Sequence, residues 1–442
     1  MADHRLLKMG SLHQGTYSVE QFRSNRQVAD VQSSLHAVTD FTQLGLNTNL
    51  YRAICRMGFA KPSRIQEAAL PLLFEDPPVN MMAQAQSGTG KTAAFLLAAL
   101  TRVRPEDRWP QILVILPTLE LAEQIAQACK RMLIHTPHVL IRHAVRGQVL
   151  SREEKVTEHV VIGTPGKLLD WTLRYRLFDM KKIRVFILDE ADIMLAESGH
   201  YGSVINIHRQ LNLTGGCQML LFSATFSDEV MELADAIIGT PFVKLTLRHD
   251  QLALSNIRHF YMETRSDEEK LEAISNLYQC LSIGQCVVFC RSRSIANCIT
   301  ETMVQLGQNV AQLHGDLETA QRLAAIDGFR RGHQKVMVTT NVCSRGIDII
   351  QVSLVINFDL PLFRDKNIDL ETYYHRVGRS GRFGRPGTAV NLIHPERDYE
   401  LEAVDQIQQV FKIDMTKVDF HNDDEVMGLM EHTEGVPGDA GA

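Results

Sequence analysis

The chain contains no run of about eighteen apolar residues, so no transmembrane helix is expected. Its first ten residues, MADHRLLKMG, lack the apolar core of a secretory signal. Cysteine is sparse: eight in 442 residues, with no C-x-x-C pair, which argues against a disulfide framework or a zinc site. Cys286 and Cys290 flank VVF in an apolar run, where buried reduced thiols are expected. These absences lead to the expectation of an intracellular, cytoplasmic protein. Positive charge is not in excess either. The formal net charge is -6, so a polyanion would have to be held by a local basic surface. Low-complexity tracts and short-period repeats are also missing.

What is present is an ordinary globular composition, 45% hydrophobic and 22% charged, in a chain long enough for about two or three domains. Short apolar runs alternate with amphipathic stretches. NMMAQA, ILVIL, VVIG, VFIL and QMLLF read as buried strands, followed after residue 256 by CVVFC, VMVTT, LVINF and TAVNLI. That alternation predicts an α/β fold of two parallel-sheet lobes. The expected boundaries are 39–246 for the first lobe, 247–256 for a linker and 257–420 for the second lobe. Residues 421–442 are acidic and Gly-rich, and a loose tail is expected there. Residues 1–38 form a polar extension. Within it Val28, Val31, Leu35 and Val38 recur at helical spacing. Such a helix is either scaffold packed on the first lobe or an autoregulatory wedge between open lobes.

AQAQSGTGKT (83–92) stands between a predicted strand and the helical AAFLLAALTRV, the placement of a phosphate loop. Gly88 and Gly90 let backbone N–H groups approach phosphate, Lys91 can neutralise the β- and γ-phosphates, and Thr92 can offer a hydroxyl to Mg²⁺. Ala85 replaces the first glycine of the full motif.

A second stretch, VFILDEADIML (185–195), ends an apolar run in three carboxylates, Asp189, Glu190 and Asp192. Acidic clusters are usually solvated surface. Here a triphosphate site needs an acid at the carboxyl end of a neighbouring strand, and Mg²⁺ would offset the repulsion. Asp189 is assigned to the metal, directly or through water, and Glu190 to the attacking water.

Asp-Glu-Ala-Asp together with AQSGTGKT resembles the DEAD-box ATP-dependent RNA helicases, from about Phe41 to about Phe411. The resemblance implies two tandem RecA-like lobes, ATP with Mg²⁺, and RNA held by its backbone. In GFAKPSRIQ (58–66), Gln66 matches the family's adenine-selecting residue, and Phe41 matches the aromatic upstream. Ser87, Gly88, Thr89, Gly90, Lys91 and Thr92 match the nucleotide loop. PTLELA (117–122) and TPGK (164–167) match first-lobe RNA contacts, with Thr118, Thr164 and Gly166 as the contacting positions. SAT (223–225) matches the element coupling ATP to RNA, with Ser223 and Thr225, and Asp192 of the acidic stretch, as coupling residues. In the second lobe, TTNVCSRGID (339–348) and HRVGRSGR (375–382) match further motifs. They imply Thr340 and Arg322 on RNA, Asp348 on the nucleotide ribose, Arg379 and Arg382 as arginine fingers, and His375 and Arg376 as coupling residues. A guanidinium is the group that a transferring phosphoryl charge requires.

Leu119 stands where most family members carry Arg, Lys167 replaces the Arg of TPGR, and RGQ (146–148) keeps one glycine of a pair. Each weakens the expected grip on RNA, and none touches ATP. No aromatic-rich surface is evident, so base-specific recognition is not expected. EDPPVNMMAQAQSGTGKTAAF, CQMLLFSATF, NVCSRGIDI and the long FRDKNIDLETYYHR are similar to the nuclear-pore mRNA-export subgroup, which includes a testis branch. That implies remodelling of messenger ribonucleoprotein at the cytoplasmic face of the pore by a shuttling monomer. Its implied partners are a nucleoporin and an export activator with inositol hexakisphosphate. Two activities stay open: an RNA-stimulated ATPase that unwinds short duplexes, or a slow, ATP-locked RNA clamp.

Overall fold

Every apolar run predicted as a strand lies in a parallel sheet, because a strand covered by helices on both faces has no polar side to show. The computed structural model describes residues 17–22 and 40–429, apart from 86–88, 149, 152, 197–199, 212–215, 239–241, 248–253, 255, 341–351 and 381–385. The chain divides into two units, residues 1–251 and 252–442.

In the first unit, β1 (Tyr17–Phe22) precedes α1 (Thr48–Arg56) and α2 (Arg64–Leu73). Next come β2 (Asn80–Gln84), α3 (Lys91–Leu100), β3 (Ile112–Ile115), α4 (Leu119–Met132) and β4 (Ile141–Ala144). β5 (Val160–Gly163), α5 (Pro165–Leu169), β6 (Val185–Leu188) and α6 (Ala191–Ala196) come after them. α7 (His200–His208), β7 (Gln218–Ser223), α8 (Asp228–Ile237) and β8 (Phe242–Leu247) complete the unit. The sheet order is β1-β8-β2-β7-β6-β3-β5-β4. All pairs are parallel except β1 with β8, which is antiparallel.

The second unit begins with β9 (Ile257–Glu263), α9 (Asp267–Cys280), β10 (Cys286–Phe289) and α10 (Arg293–Gln305). It continues through β11 (Val310–Leu313), α11 (Thr319–Arg330), β12 (Val336–Thr339) and β13 (Leu354–Asn357). Then come α12 (Leu370–Val377), β14 (Gly387–Ile393), α13 (Asp398–Phe411), β15 (Met415–Lys417) and α14 (Asp423–Met427). Its order is β11-β12-β10-β13-β14-β9-β15, parallel throughout.

Each sheet has its own core. Leu113, Phe186, Leu188 and Leu221 pack together in the first, and Val288, Val338, Ile356 and Val390 in the second. No helix among the described residues is long and apolar enough to cross a membrane. Two stretches differ from expectation. Residues 17–22 of the polar extension add a strand to the open edge of β8. The stretch expected to be loose from residue 421 instead forms α14, capped by the Asn422 side chain, and buries Val426 and Leu429 in the second core. Apolar residues three apart after an Asn cap make that short helix worth docking. The helix-spaced Val28, Val31, Leu35 and Val38 lie outside the described residues.

Candidate active site

β2 delivers the chain to the phosphate loop at the carboxyl edge of the first sheet, where α/β folds hold their ligands. Gln86, Ser87 and Gly88 are outside the described residues; Thr89 and Gly90 lead directly into α3. Gly90 has φ +100°, a conformation that L side chains rarely adopt. A Cβ there would also lie 2.5 Å from Gln66 Nε2 and 2.7 Å from Ser63 Oγ. Gln66 is buried at the start of α2, where its Oε1 accepts from the Ser63 N–H at 3.0 Å and its Nε2 donates to the Gly90 carbonyl at 3.0 Å. The expected adenine-selecting side chain is thus tied to the phosphate loop. Phe41 is also buried, edge-on to Phe59 at 6.3 Å between ring centroids.

Lys91 opens α3 and turns to the end of β6. Its Nζ lies 3.0 Å from Asp189 Oδ1 and in short contact with Glu190 Oε1. All three side chains are buried. Burial alone would depress the Lys91 ammonium, but Asp189 and Glu190 outweigh it and hold the pKa above its usual value. Burial pushes the Asp189 carboxyl up to about 6, Lys91 opposes that, and Glu190 adds to it. Glu190 has φ +55°, a left-handed backbone that costs a non-glycine residue of order 1–3 kcal/mol and is typical of functional sites.

Two carboxylates face one ammonium, and Asp189 Oδ2 and Glu190 Oε2 are buried without a hydrogen-bond partner. Buried carboxylate oxygens left in this state fit a cation. Thr92, half-buried on the first turn of α3, is the neighbouring hydroxyl.

The SAT segment is wired to this site. The Asp192 N–H donates to Ser223 Oγ at 3.2 Å, and Thr225 Oγ1 donates to Asp192 Oδ2 at 3.3 Å. Gln84, ending β2, donates through Nε2 to the Ala224 carbonyl at 3.1 Å. Sequence reasoning passed over Gln84; the available signal was a polar residue closing a buried apolar strand. The RNA-contact candidates of this unit sit at helix starts on the same sheet edge. Thr118 caps α4, accepting from the Leu121 N–H at 3.3 Å, and Thr164 precedes α5, where Gly166 is exposed. β3 and β5, which deliver them, are neighbours. Leu119 is half-buried, and Lys167 Nζ lies over Trp171 at 5.9 Å from the ring centroid.

In the second unit, α12 carries His375 and Arg376, and Arg379 lies just past its carboxyl end. All three are buried. Arg376 Nη1 donates to Asn357 Oδ1 at 3.0 Å and to the Asp359 carbonyl at 2.7 Å, and its guanidinium lies 5.0 Å from the Phe289 ring centroid. This side chain anchors its helix to the sheet. Arg379 Nε donates to the His375 carbonyl at 3.1 Å, which fixes its stem. Thr340 follows β12 and is half-buried; Arg322 sits half-buried on α11. Asp348 and Arg382 lie outside the described residues. A buried polar chain that the sequence did not disclose supports α12. Asn357 donates to Asn391 Oδ1 at 2.9 Å, Asn391 to the Tyr373 hydroxyl at 3.4 Å, and that hydroxyl meets His259 Nδ1 at 3.1 Å.

A lysine-headed helix facing strand-end carboxylates, together with a second parallel-sheet unit bearing buried arginines, defines a two-lobed hydrolase of nucleoside triphosphates. Residues 63–233 match the DEAD/DEAH box helicase family model, and residues 269–384 match the helicase conserved C-terminal domain. The chain belongs to the DEAD-box ATP-dependent RNA helicases, a family of ATP-hydrolysing enzymes. It is 47% identical over 404 residues to the DEAD-box helicase Dbp80 of Drosophila melanogaster, covering 91% of this chain and 87% of that one. The Dbp5 structure from S. cerevisiae bound to RNA and ADP BeF3 is 39% identical, with a TM-score of 0.82, covering 90% of this chain and 100% of that one. A Dbp5 variant bound to Nup159, Gle1, IP6 and ADP is 38% identical, with a TM-score of 0.63, covering 88% and 100%.

Proposed function

We propose that the chain is an RNA-stimulated ATPase that locally unwinds RNA or remodels messenger ribonucleoprotein in mRNA export. The observation that carries this reading is the buried trio Lys91, Asp189 and Glu190, whose unpartnered carboxylate oxygens suit a cation and a reacting water as partners. Thr92 and Asp189 would hold Mg²⁺, which when bound supplies charge neutralisation for the phosphates. Lys91 exchanges its carboxylate partners for phosphate oxygens. Glu190, released from that ammonium, orients the attacking water through its carboxylate and accepts its proton. Ser87, Gly88, Thr89 and Gly90 cradle the phosphates, Gln66 and Phe41 hold the adenine, and Asp348 the ribose. Arg379 and Arg382 stabilise charge on the transferring phosphoryl group. Thr118, Thr164, Gly166, Arg322 and Thr340 hold the RNA backbone, which positions a strand without reading it. Asp192, Ser223 and Thr225 couple the two ligands within the first lobe, and His375 and Arg376 do so from the second.

The relatives support the finer assignment. The yeast protein is solved with RNA, and with Nup159, Gle1 and IP6. By likeness, this chain works at the cytoplasmic face of the nuclear pore with a nucleoporin and an inositol-hexakisphosphate-dependent activator. Steady-state ATPase with single-stranded RNA, with single-stranded DNA and with neither tests the central claim. Stimulation by RNA alone is expected. Equal stimulation by DNA would remove the RNA assignment, and an RNA complex that outlives many ATPase cycles would favour a clamp.

A further inference from the structure

A groove of about 310 Å³ lies in the second unit beside the paired strands β9 and β15. Leu254, Phe260 and Ile413 give it apolar walls, and two cations, Arg258 and Lys412, outnumber its one acid, Asp414. Two features mark it as more than a surface dent. First, Lys412 holds φ +52° at the end of α13, a strained backbone for a non-glycine residue, and makes no ion pair with any described residue. Second, Arg258 Nη1 donates to the Leu429 carbonyl at 3.2 Å. The last described residue is therefore fastened to the groove's own arginine.

The chain beyond Leu429 has the complementary chemistry. Residues 430–442 contain Glu431, Glu434 and Asp439 and no Lys or Arg. Two residues of extended chain span about 7 Å, so a chain leaving Leu429 is long enough for Glu431 to reach groove residues. Met430 and Val436 can meet the apolar walls.

We propose that this groove is the docking site of the chain's own segment 430–442, held through its carboxylates by Lys412 and Arg258. A tethered segment needs only weak contacts, because its effective concentration at the groove is high.

The test compares amide exchange at 412–416 in the full chain, in a chain ending at Leu429, and in the full-length variant Glu431→Gln/Glu434→Gln/Asp439→Asn. Exchange there should run about fivefold faster in both variants at low salt, the scale of one or two partly exposed ion pairs. Lys412→Glu should speed it similarly, and adding Glu431→Lys and Glu434→Lys should restore it. Unchanged exchange after the cut would overturn the proposal. So would acceleration that spreads to 286–289 in the central strand, since the segment would then be general scaffold. An effect of Lys412→Glu without any effect of the cut would assign the groove to some other anion and likewise overturn it.

Discussion

Gln66 holds Gly90 and Ser63 at once: its Nε2 donates to the Gly90 carbonyl and its Oε1 accepts from the Ser63 N–H, both at 3.0 Å. Gly90→Ala therefore meets two penalties, a left-handed φ and a methyl group driven into Gln66 and Ser63. Together they should cost about 2–4 kcal/mol at the loop, equivalent to a 30- to 1000-fold loss of nucleotide affinity. Gln66→Ala removes one of the two obstructions and leaves Ser63 and the φ. Melting curves should thus show Gly90→Ala/Gln66→Ala partly recovered relative to Gly90→Ala, while nucleotide affinity stays low because Gln66 is also lost from the adenine.

Glu190 at the end of β6 and its partner Lys91 should separate by function. Glu190→Gln keeps ATP binding and slows turnover at least about a hundredfold, the usual scale for a group that positions a nucleophile or moves a proton. Lys91→Ala weakens nucleotide binding instead. It also strips two buried carboxylates of their only ammonium partner among the described residues. Breaking a buried pair costs about 3–5 kcal/mol, so the first lobe's melting temperature should fall measurably. A Glu190→Gln protein that hydrolyses ATP like wild type would mean the site is misassigned.

Arginine substitutions in the second unit should not behave alike. Arg379→Ala should cut RNA-stimulated hydrolysis about a thousandfold, and Arg382→Ala comparably, while weak nucleotide binding by the first lobe persists. Arg376 spends two hydrogen bonds on Asn357 and Asp359. Arg376→Ala should therefore lower the melting temperature as well as the rate. Retained RNA stimulation in both Arg379→Ala and Arg382→Ala would place the fingers elsewhere.

Acid should loosen the second unit through His259. Burial lowers its pKa to about 4, with the Leu254 carbonyl offsetting part of the effect. The unfolded chain takes up the proton near pH 6.5 and the folded one only near 4, so stability is intact above 6.5 and falls as pH drops between those values. The full loss approaches about 3 kcal/mol, at 1.36 kcal/mol per pH unit. His259→Gln should flatten that window when pH-dependent melting curves of the two proteins are subtracted. Parallel curves would mean that the imidazole is not held neutral by the fold.

Strands without a polar face were the legible part of this sequence. β2, β3, β6, β10 and β13 are buried along nearly their whole length, and composition alone marks them. The edge strand β4 (IRHA) and β11 (VAQL), with its alternating burial, carry no such run and were not predicted. The paired acids were legible because their spacing is local. The Gln84–Ala224 and Tyr373–His259 contacts join residues 140 and 114 positions apart, and no local pattern encodes them.

The amino-terminal extension offers the remaining test, and the fold changes how it must be run. Deleting residues 1–38 would remove β1 along with the helix-spaced Val28, Val31, Leu35 and Val38, leaving the β8 edge bare. Any change in ATPase would then mix an exposed sheet edge with a lost helix. Substituting Val31→Asp and Leu35→Asp leaves 17–22 in place and spoils only the apolar face. An isolated helix this short is marginal in water, so it must dock to persist. If it docks between open lobes it competes with closure on ATP and RNA, and the double variant should raise basal ATPase several-fold while the RNA-saturated rate stays nearly unchanged. If it is scaffold on the first lobe, the basal rate should stay as it was and the melting temperature should fall. Measuring both quantities on the same preparation decides between them.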